Sequence, residues 1–497
     1  MRSWQVSQSG SERVWSPRPS VSPDVTQDAV IVVPGIMGSE LRDTETGNLL
    51  WGLDVRVLER AWRRGDGLQG LHATEEELEG GTGRVSATRL LTRPAWAPFL
   101  RGIEPYSDLL GTITEAAAAP EAVLAFPYDW RLPVEHNGAL LATAARKHLL
   151  QWCLQVEASA NLRALCEDRP PRLVFVAHSM GGLLTRAALA REPDLIPDTR
   201  AVISLGTPFL GAAQAVAILN GDRANPLPAL PPRRMQALAA TLPGVHDLLP
   251  DYRCLDEGLE IARLSPEIVE AIGGSKELAA RALEFQERMR TTAPGLPGHR
   301  AVIGIAQPTV QSLRIENGIV HAQYEAFRAH GDGMLRRDAD GVPIRQDRTG
   351  DGTVYRDAAS TSTPSSATYL PVQHGALAKN STALRYVHAV LTEHDEHLGA
   401  PMGSGDLGLI LPEEGVMAEQ PWMLRVTGRP SPAGVTCRVE DVTTGRSIAR
   451  PQLSGRDGEL AAQITLSDTG LYRVRLDGGG SAPVTQLVLA LAPEDLG

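Results

Sequence analysis

An apolar run, Leu173-Val174-Phe175-Val176-Ala177, meets His178-Ser179-Met180-Gly181-Gly182 and then a helical pattern. A serine at the point where a buried strand turns sharply into a helix has its hydroxyl lifted above the sheet, where it can act as a nucleophile. That turn tolerates only small residues two positions to either side, and Ala177 and Gly181 supply them. The usual string is Gly-x-Ser-x-Gly, so the alanine makes this a permissive variant. A serine after an apolar strand is also a common helix N-cap, in which the hydroxyl only accepts a backbone hydrogen bond.

A serine hydroxyl is a weak nucleophile until a base takes its proton and a third group orients that base. Downstream lie Gly350-Asp351-Gly352-Thr353-Val354, an acid on a glycine-flanked turn, and Pro371-Val372-Gln373-His374-Gly375, a histidine on a loop. Asp351 and His374 are the candidate acid and base. Their order after Ser179 is that of the α/β-hydrolase arrangement. Asp332, Asp338, Asp340 and Asp347 compete for the acid role. Asp338-Ala339-Asp340-Gly341 resembles part of a calcium loop, but the later glutamate is missing and arginines crowd the run, so no metal or other cofactor is expected. His178 should point away from the nucleophile, and His388, His394 and His397 lie on or after a helical pattern. For the developing oxyanion, backbone N–H groups are needed after an early strand and just after the nucleophile. Ala29–Val33 followed by Pro34-Gly35-Ile36-Met37-Gly38-Ser39 gives Met37 as one candidate donor, and Met180 is the other.

Several blocks in order extend this pattern: Val33 to Ser39 with Trp51 beyond it, Phe126-Pro127-Tyr128-Asp129-Trp130-Arg131, Ala177 to Gly182, Leu205-Gly206-Thr207-Pro208-Phe209-Leu210-Gly211, Leu248-Leu249-Pro250, Gly350 to Val354 and the His374 loop. Together, over about residues 28 to 395, they resemble the lecithin:cholesterol acyltransferase-like lipases. The resemblance implies an α/β-hydrolase acting on a lipid ester. It puts Ser179, Asp351 and His374 on the family's triad positions, Met37 and Met180 on its oxyanion positions, and a mobile lid at about 212–240. The disulfides of the secreted animal enzyme have no counterpart here. The lid has independent support, since residues 212–242 hold apolar helical stretches around a loop with Pro226, Pro228, Pro231 and Pro232. A core-packed helix within a surface insertion fits the same residues. Asp129 and Arg131 are expected to pair and tie a loop beneath the pocket.

These loops require strands ending together. Ala122–Ala125, Ala201–Leu205 and Arg300–Ile305 read as further strands, with helices over 138–154 and 181–191, which is the alternation of a mostly parallel sheet flanked by helices. From about residue 399 a glycine-rich linker, to 415, leads to a period of two. Stretches at 422–426, 434–439, 459–466, 471–476 and 485–491 predict a small immunoglobulin-like β-sandwich over 416–497, with Asp468 to Val474 resembling a tyrosine corner. The catalytic unit is then 28–398, and residues 1–27 read as a flexible tail with no apolar signal segment.

A chain of 497 residues exceeds what one core supports, in keeping with two domains. Its net charge of −11 disfavours nucleic acid and lasting attachment to anionic membranes, leaving transient contact with a lipid surface. No apolar run reaches the roughly 18 residues needed to span a bilayer. Cys153, Cys166, Cys254 and Cys437 lack metal or disulfide spacing, which suits free thiols and a cytoplasmic location. The expected activity is serine-dependent hydrolysis of a lipid ester, with a phospholipid as one candidate substrate. Transfer of the acyl chain to an alcohol is one alternative, and an inert scaffold that binds a protein partner through the β-sandwich is another.

Overall fold

A computed structural model describes residues 25–52, 69–79, 83–95, 104–167, 169–221, 232–328, 334–360, 366–394, 407–412, 415–429, 431–456, 459–478 and 483–492. Nearly all of the expected tail, most of the glycine-rich linker, the middle of the expected lid, Asp332 and His397 lie outside them.

The centre is a six-stranded sheet in the order Ser366–Leu370, Arg300–Gly304, Thr199–Leu205, Leu173–His178, Ala29–Val33, Val123–Ala125. Every neighbouring pair is parallel. Ala29–Val33 and Leu173–His178 are buried along their whole length, as expected for unbroken Val/Ile/Phe runs covered on both faces. Helices Val134–Ala158 and Met180–Arg191 pack against one another beside the sheet. They approach so closely that a Cβ on Gly138 would come within 2.8 Å of Ala187 Cβ. The expected strands and helices are all present, shifted by a few residues at their ends. Ser366–Leu370 was not foreseen, nor was the antiparallel sheet Ser39–Asp43, Leu49–Trp51, Val85–Leu90. Further antiparallel pairings, such as Ser312–Glu316 with Ile319–Gln323, complete a mixed α/β core consistent with an α/β-hydrolase-like fold.

Within the expected lid, Gln214–Leu219 is a helix whose Ala215, Val216 and Leu219 are buried in the main core. Pro232–Ala239 forms a second helix. Asp129 and Arg131 do pair, and Glu77 joins them on the fully buried guanidinium. Burial pushes the Glu77 carboxyl up, but the hydrogen bonds from Arg131 and Arg84 outweigh it and hold the group down to about 2.

Beyond residue 407 the chain forms two sheets. One is Gly408–Ile410, Pro421–Thr427, Glu459–Thr465, Ser454–Arg456; the other is Val416–Met417, Val484–Leu491, Gly470–Asp477, Thr436–Asp441, Ser447–Ala449. Residues of both, such as Leu424, Ile464, Val474 and Val488, share one core. Tyr472 donates its hydroxyl to the Asp468 carbonyl at 2.9 Å. All four cysteines are free. No helix among the described residues is long and apolar enough to cross a membrane.

Candidate active site

A parallel sheet delivers all its strand ends to one edge, so loops distant in sequence meet there. Ser179 ends one strand, His374 follows Ser366–Leu370, and Asp351 lies on the excursion after Arg300–Gly304. At Ser179 the backbone takes φ 53°, ψ −127°, a conformation that costs a non-glycine residue about 1–3 kcal/mol and that recurs at functional sites. Ser179 occupies the N-cap position of its helix, yet its hydroxyl makes no capping bond. Instead Ser179 Oγ lies 2.7 Å from His374 Nε2. His374 Nδ1 lies 2.7 Å from Asp351 Oδ2. Because the carboxylate can only accept there, Nδ1 carries the proton and Nε2 is left to take one from the serine.

Asp351 is held firmly. Its Oδ1 accepts the backbone N–H groups of Thr353 at 3.0 Å and Val354 at 2.7 Å, and its own carbonyl accepts the His374 N–H at 2.8 Å. Of the competing acids, Asp347 accepts from the Gln311 amide and the Thr349 backbone, and Asp338 accepts from the backbone of Asp340 and Val342. Gly206, at φ 62°, closes the next strand, and a Cβ there would sit 3.0 Å from Asp351 Oδ2 and 3.1 Å from His374 Nδ1. Only glycine leaves that pair room. Ser179, His374 and Asp351 are each at most 5% exposed, a dry setting in which their hydrogen bonds are electrostatically strong.

The loop after Ala29–Val33 passes directly over the serine, for a Cβ on Gly35 would lie 2.8 Å from Ser179 Cβ. Three aromatic side chains hold its carbonyls: Tyr128 donates to Pro34, Trp51 to Met37 and Trp130 to Ser39. Met37 has φ 61° and is fully buried. Met180 opens the helix after Ser179, so its N–H has no acceptor within the helix.

His178 and Tyr106 went unnoticed in the sequence as parts of this arrangement. Gly35 N–H donates to the Tyr106 hydroxyl at 2.9 Å, that hydroxyl meets His178 Nδ1 at 2.8 Å, and His178 Nε2 meets the His374 carbonyl at 3.0 Å. A carbonyl only accepts, so His178 is protonated at Nε2 and Tyr106 donates to its Nδ1. Burial, reinforced by His374, pushes the His178 pKa down to about 3, which keeps the ring neutral in this role. Both ring nitrogens of His178 are engaged by Tyr106 and the His374 carbonyl, so the ring ties the loop beside Ser179 to the loop carrying His374. Contacts between residues 71, 72 and 196 positions apart leave no periodic trace in a sequence. A separate cleft of about 490 Å³, rimmed by Arg253, Arg263, Arg328, Arg336 and Arg348, contains none of Ser179, His374 or Asp351.

A serine, a histidine and a carboxylate in one hydrogen-bonded line at the strand ends of a parallel sheet define an α/β-hydrolase-like site. A family model described as lecithin:cholesterol acyltransferase matches residues 99–263, so that over this segment the chain is similar to that lipase and acyltransferase family. The segment includes Ser179; Asp351 and His374 fall beyond it. The human lysosomal phospholipase A and acyltransferase is 29% identical over 132 residues, which are 26% of this chain and 29% of that protein. Its mouse counterpart is 27% identical over the same length. The chain thus spans less than a third of the length of the curated relatives it matches. Among solved structures, the Tle4–Tli4 complex aligns with a TM-score of 0.45 at 13% identity, covering 74% of this chain and 98% of that one. The mature Bacillus licheniformis lipase BlEst2 aligns with a TM-score of 0.31 at 12% identity, covering 74% and 93%.

Proposed function

We propose that the protein is a serine-dependent lipid acyl hydrolase working through an acyl-enzyme on Ser179. The observation that carries this reading is the continuous hydrogen-bonded line from the Ser179 hydroxyl through His374 to Asp351. His374 Nε2 takes the hydroxyl proton as Oγ attacks the ester carbonyl carbon, and Asp351 stabilises the imidazolium without itself taking the proton. The carbonyl oxygen, now negative, accepts the N–H groups of Met37 and Met180, each worth roughly 3 kcal/mol of transition-state stabilisation. The intermediate collapses, the C–O bond to the leaving alcohol breaks, and that alcohol takes the proton from His374. Water then enters and gives His374 a proton as it attacks the acyl carbon; the second intermediate collapses, the C–Oγ bond breaks, Ser179 Oγ takes the proton back from His374, and the fatty acid leaves.

Lipid esters, phospholipids first, are the substrate class favoured by the family match and by the relative named a phospholipase A and acyltransferase. The same relative's name supports an alcohol as second acceptor, since an alcohol in place of water completes the same cycle as a transfer. Ser179 is only 5% exposed, so an acyl chain needs part of the surface to move. We read residues 212–240 as that lid, with the buried helix Gln214–Leu219 as its fixed base and the movement lying beyond it. We also read 28–398 as the catalytic unit and the C-terminal sheets as an immunoglobulin-like sandwich, with the expected linker of 399–415 ending before Gly408–Ile410, which already pairs with Pro421–Thr427. The Tyr472 hydrogen bond and the core shared by the two sheets support this division.

The test is turnover of a panel of phospholipids and neutral lipid esters, with products identified by mass spectrometry and with or without added long-chain alcohol. Wild-type protein should release fatty acid or form the alcohol's ester. Ser179→Ala and His374→Ala should lose several orders of magnitude, up to about a millionfold. Unchanged turnover in Ser179→Ala, or none by wild type on any ester, would contradict the reading.

A further inference from the structure

The loop from Pro371 to Asn380 carries His374, and some of what holds it comes from the far end of the chain. Asp351, His178 and the Glu104 backbone fix its peptide groups, the last by a hydrogen bond from Glu104 N–H to the Gly375 carbonyl at 3.2 Å. The Gln373 side-chain amide, next to the histidine, donates to Gln486 Oε1 at 2.8 Å. Gln486 lies on Val484–Leu491 in the C-terminal sheets. On the adjoining strand, Arg473 gives both arms of its guanidinium to the Glu104 carboxylate, at 2.5 and 2.6 Å. Lys379, on the base loop itself, reaches the same carboxylate at 3.6 Å.

These groups are poorly chosen if stability alone mattered. Gln373 and Gln486 are 6% and 4% exposed, and Gln486 is followed on its strand by five buried apolar residues, Leu487 to Leu491. An amide removed from water costs free energy unless it finds a partner, and a leucine would have filled the strand without that demand. Each glutamine satisfies the other across 113 positions of sequence. The mount is stiff, because Leu471, Leu487, Leu489 and Leu491 belong to the same buried cluster as the central sheet. The C-terminal sheets thus share buried packing with the sheet that delivers His374.

We propose that the C-terminal sheets are a structural part of the active site, with Gln486 and Arg473 acting as positioning residues that fix the loop carrying His374. The proposal rests on the reading of His374 as the base. A hydrogen bond of 2.7 Å from Nε2 to the serine leaves little tolerance, and a misplacement of about 1 Å at a reacting group can cost on the order of a hundredfold in rate. Gln373 is the residue next to that imidazole, so its tether is felt there directly.

The test uses the full chain with a short-chain p-nitrophenyl ester, so that lipid binding does not enter, together with amide hydrogen exchange over residues 371–380. Gln486→Leu should lower kcat about tenfold, leave KM within about twofold, and speed exchange in that loop. Gln486→Glu keeps an oxygen acceptor in place and should restore most of the rate. The double variant Gln373→Leu/Gln486→Leu should lose no more than either single one, since all three remove the same hydrogen bond. Arg473→Lys retains the charge but not the two-pronged pairing, and should give a smaller loss of the same kind. It also serves as the decisive variant should Gln486→Leu not fold. Wild-type kcat and wild-type exchange in Gln486→Leu, or in Arg473→Lys where that variant decides, overturn the proposal. So do losses that multiply in the double variant. If wild type hydrolyses no ester, the reading of His374 falls separately, and the exchange measurement still decides whether the far sheets hold the loop.

Discussion

At the scale of single residues, the site turns on which nitrogen of His374 is free. Asp351 fixes Nδ1 as the protonated one and leaves Nε2 facing Ser179. Asp351→Asn can present an amide N–H to that nitrogen, which favours the wrong tautomer while leaving the geometry almost unchanged. A fall in kcat of roughly 10⁴ is expected, with little change in KM. Asp347→Asn is the matched control. Asp347 orders a turn through Gln311 and Thr349, so its loss should cost modest stability and leave turnover within severalfold. Steady-state kinetics on both variants separate the two carboxylates; collapse in Asp347→Asn with survival in Asp351→Asn would reverse the assignment.

At the scale of elements, the sequence made the strand-turn-helix around Ser179 legible because everything that defines it is local. A buried strand, two small residues and a helical pattern lie within a few positions of the serine. Asp351 was legible as an acid set between two glycines and His374 as a histidine before one, although the strand Ser366–Leu370 that delivers the histidine was not read. Asp351 could not be chosen over Asp347 from spacing alone, since what separates them is a hydrogen bond to a histidine 23 positions on. The short strands around residues 39–90 were missed because three to six residues of mixed polarity carry little periodic signal. For the apolar run at 214–219, composition fits a lid that opens or a helix that packs, and in this structure the helix is buried against the central core. Tyr106, His178, Gln373 and Gln486 share a deeper obstacle. Each looks ordinary in sequence, and its role comes entirely from a partner that folding brings near.

At the scale of the whole molecule, buried histidines tie stability to pH. Burial pushes His178 down to about 3, and His246 and His299 to about 4. A folded pKa below the unfolded value near 6.5 means that their contribution is complete above about pH 6.5 and is lost as pH falls through the folded values. Asp247 acts in the opposite sense, because burial raises it to about 7 and its contribution fades as pH rises from near 3.8 to that value. Burial also lowers His72 and His148 and raises Asp251, so the histidines outnumber the carboxyls and unfolding near pH 5.5 takes up roughly two protons. Stability should fall by roughly 2–3 kcal/mol per pH unit there. Denaturant melts between pH 6.5 and 4.5 check this, and His246→Asn should flatten the slope by about one proton; a level profile would contradict it.

One alcohol activated by an imidazole and a carboxylate drawn from distant loops should be uniquely reactive toward electrophiles. The most direct measurement is intact-mass and peptide mapping after reaction with a fluorophosphonate. One adduct per chain is expected, on Ser179, formed at a rate that drops sharply in His374→Ala and vanishes in Ser179→Ala. An unmodified Ser179, or an adduct on another residue while ester turnover persists in Ser179→Ala, would contradict it.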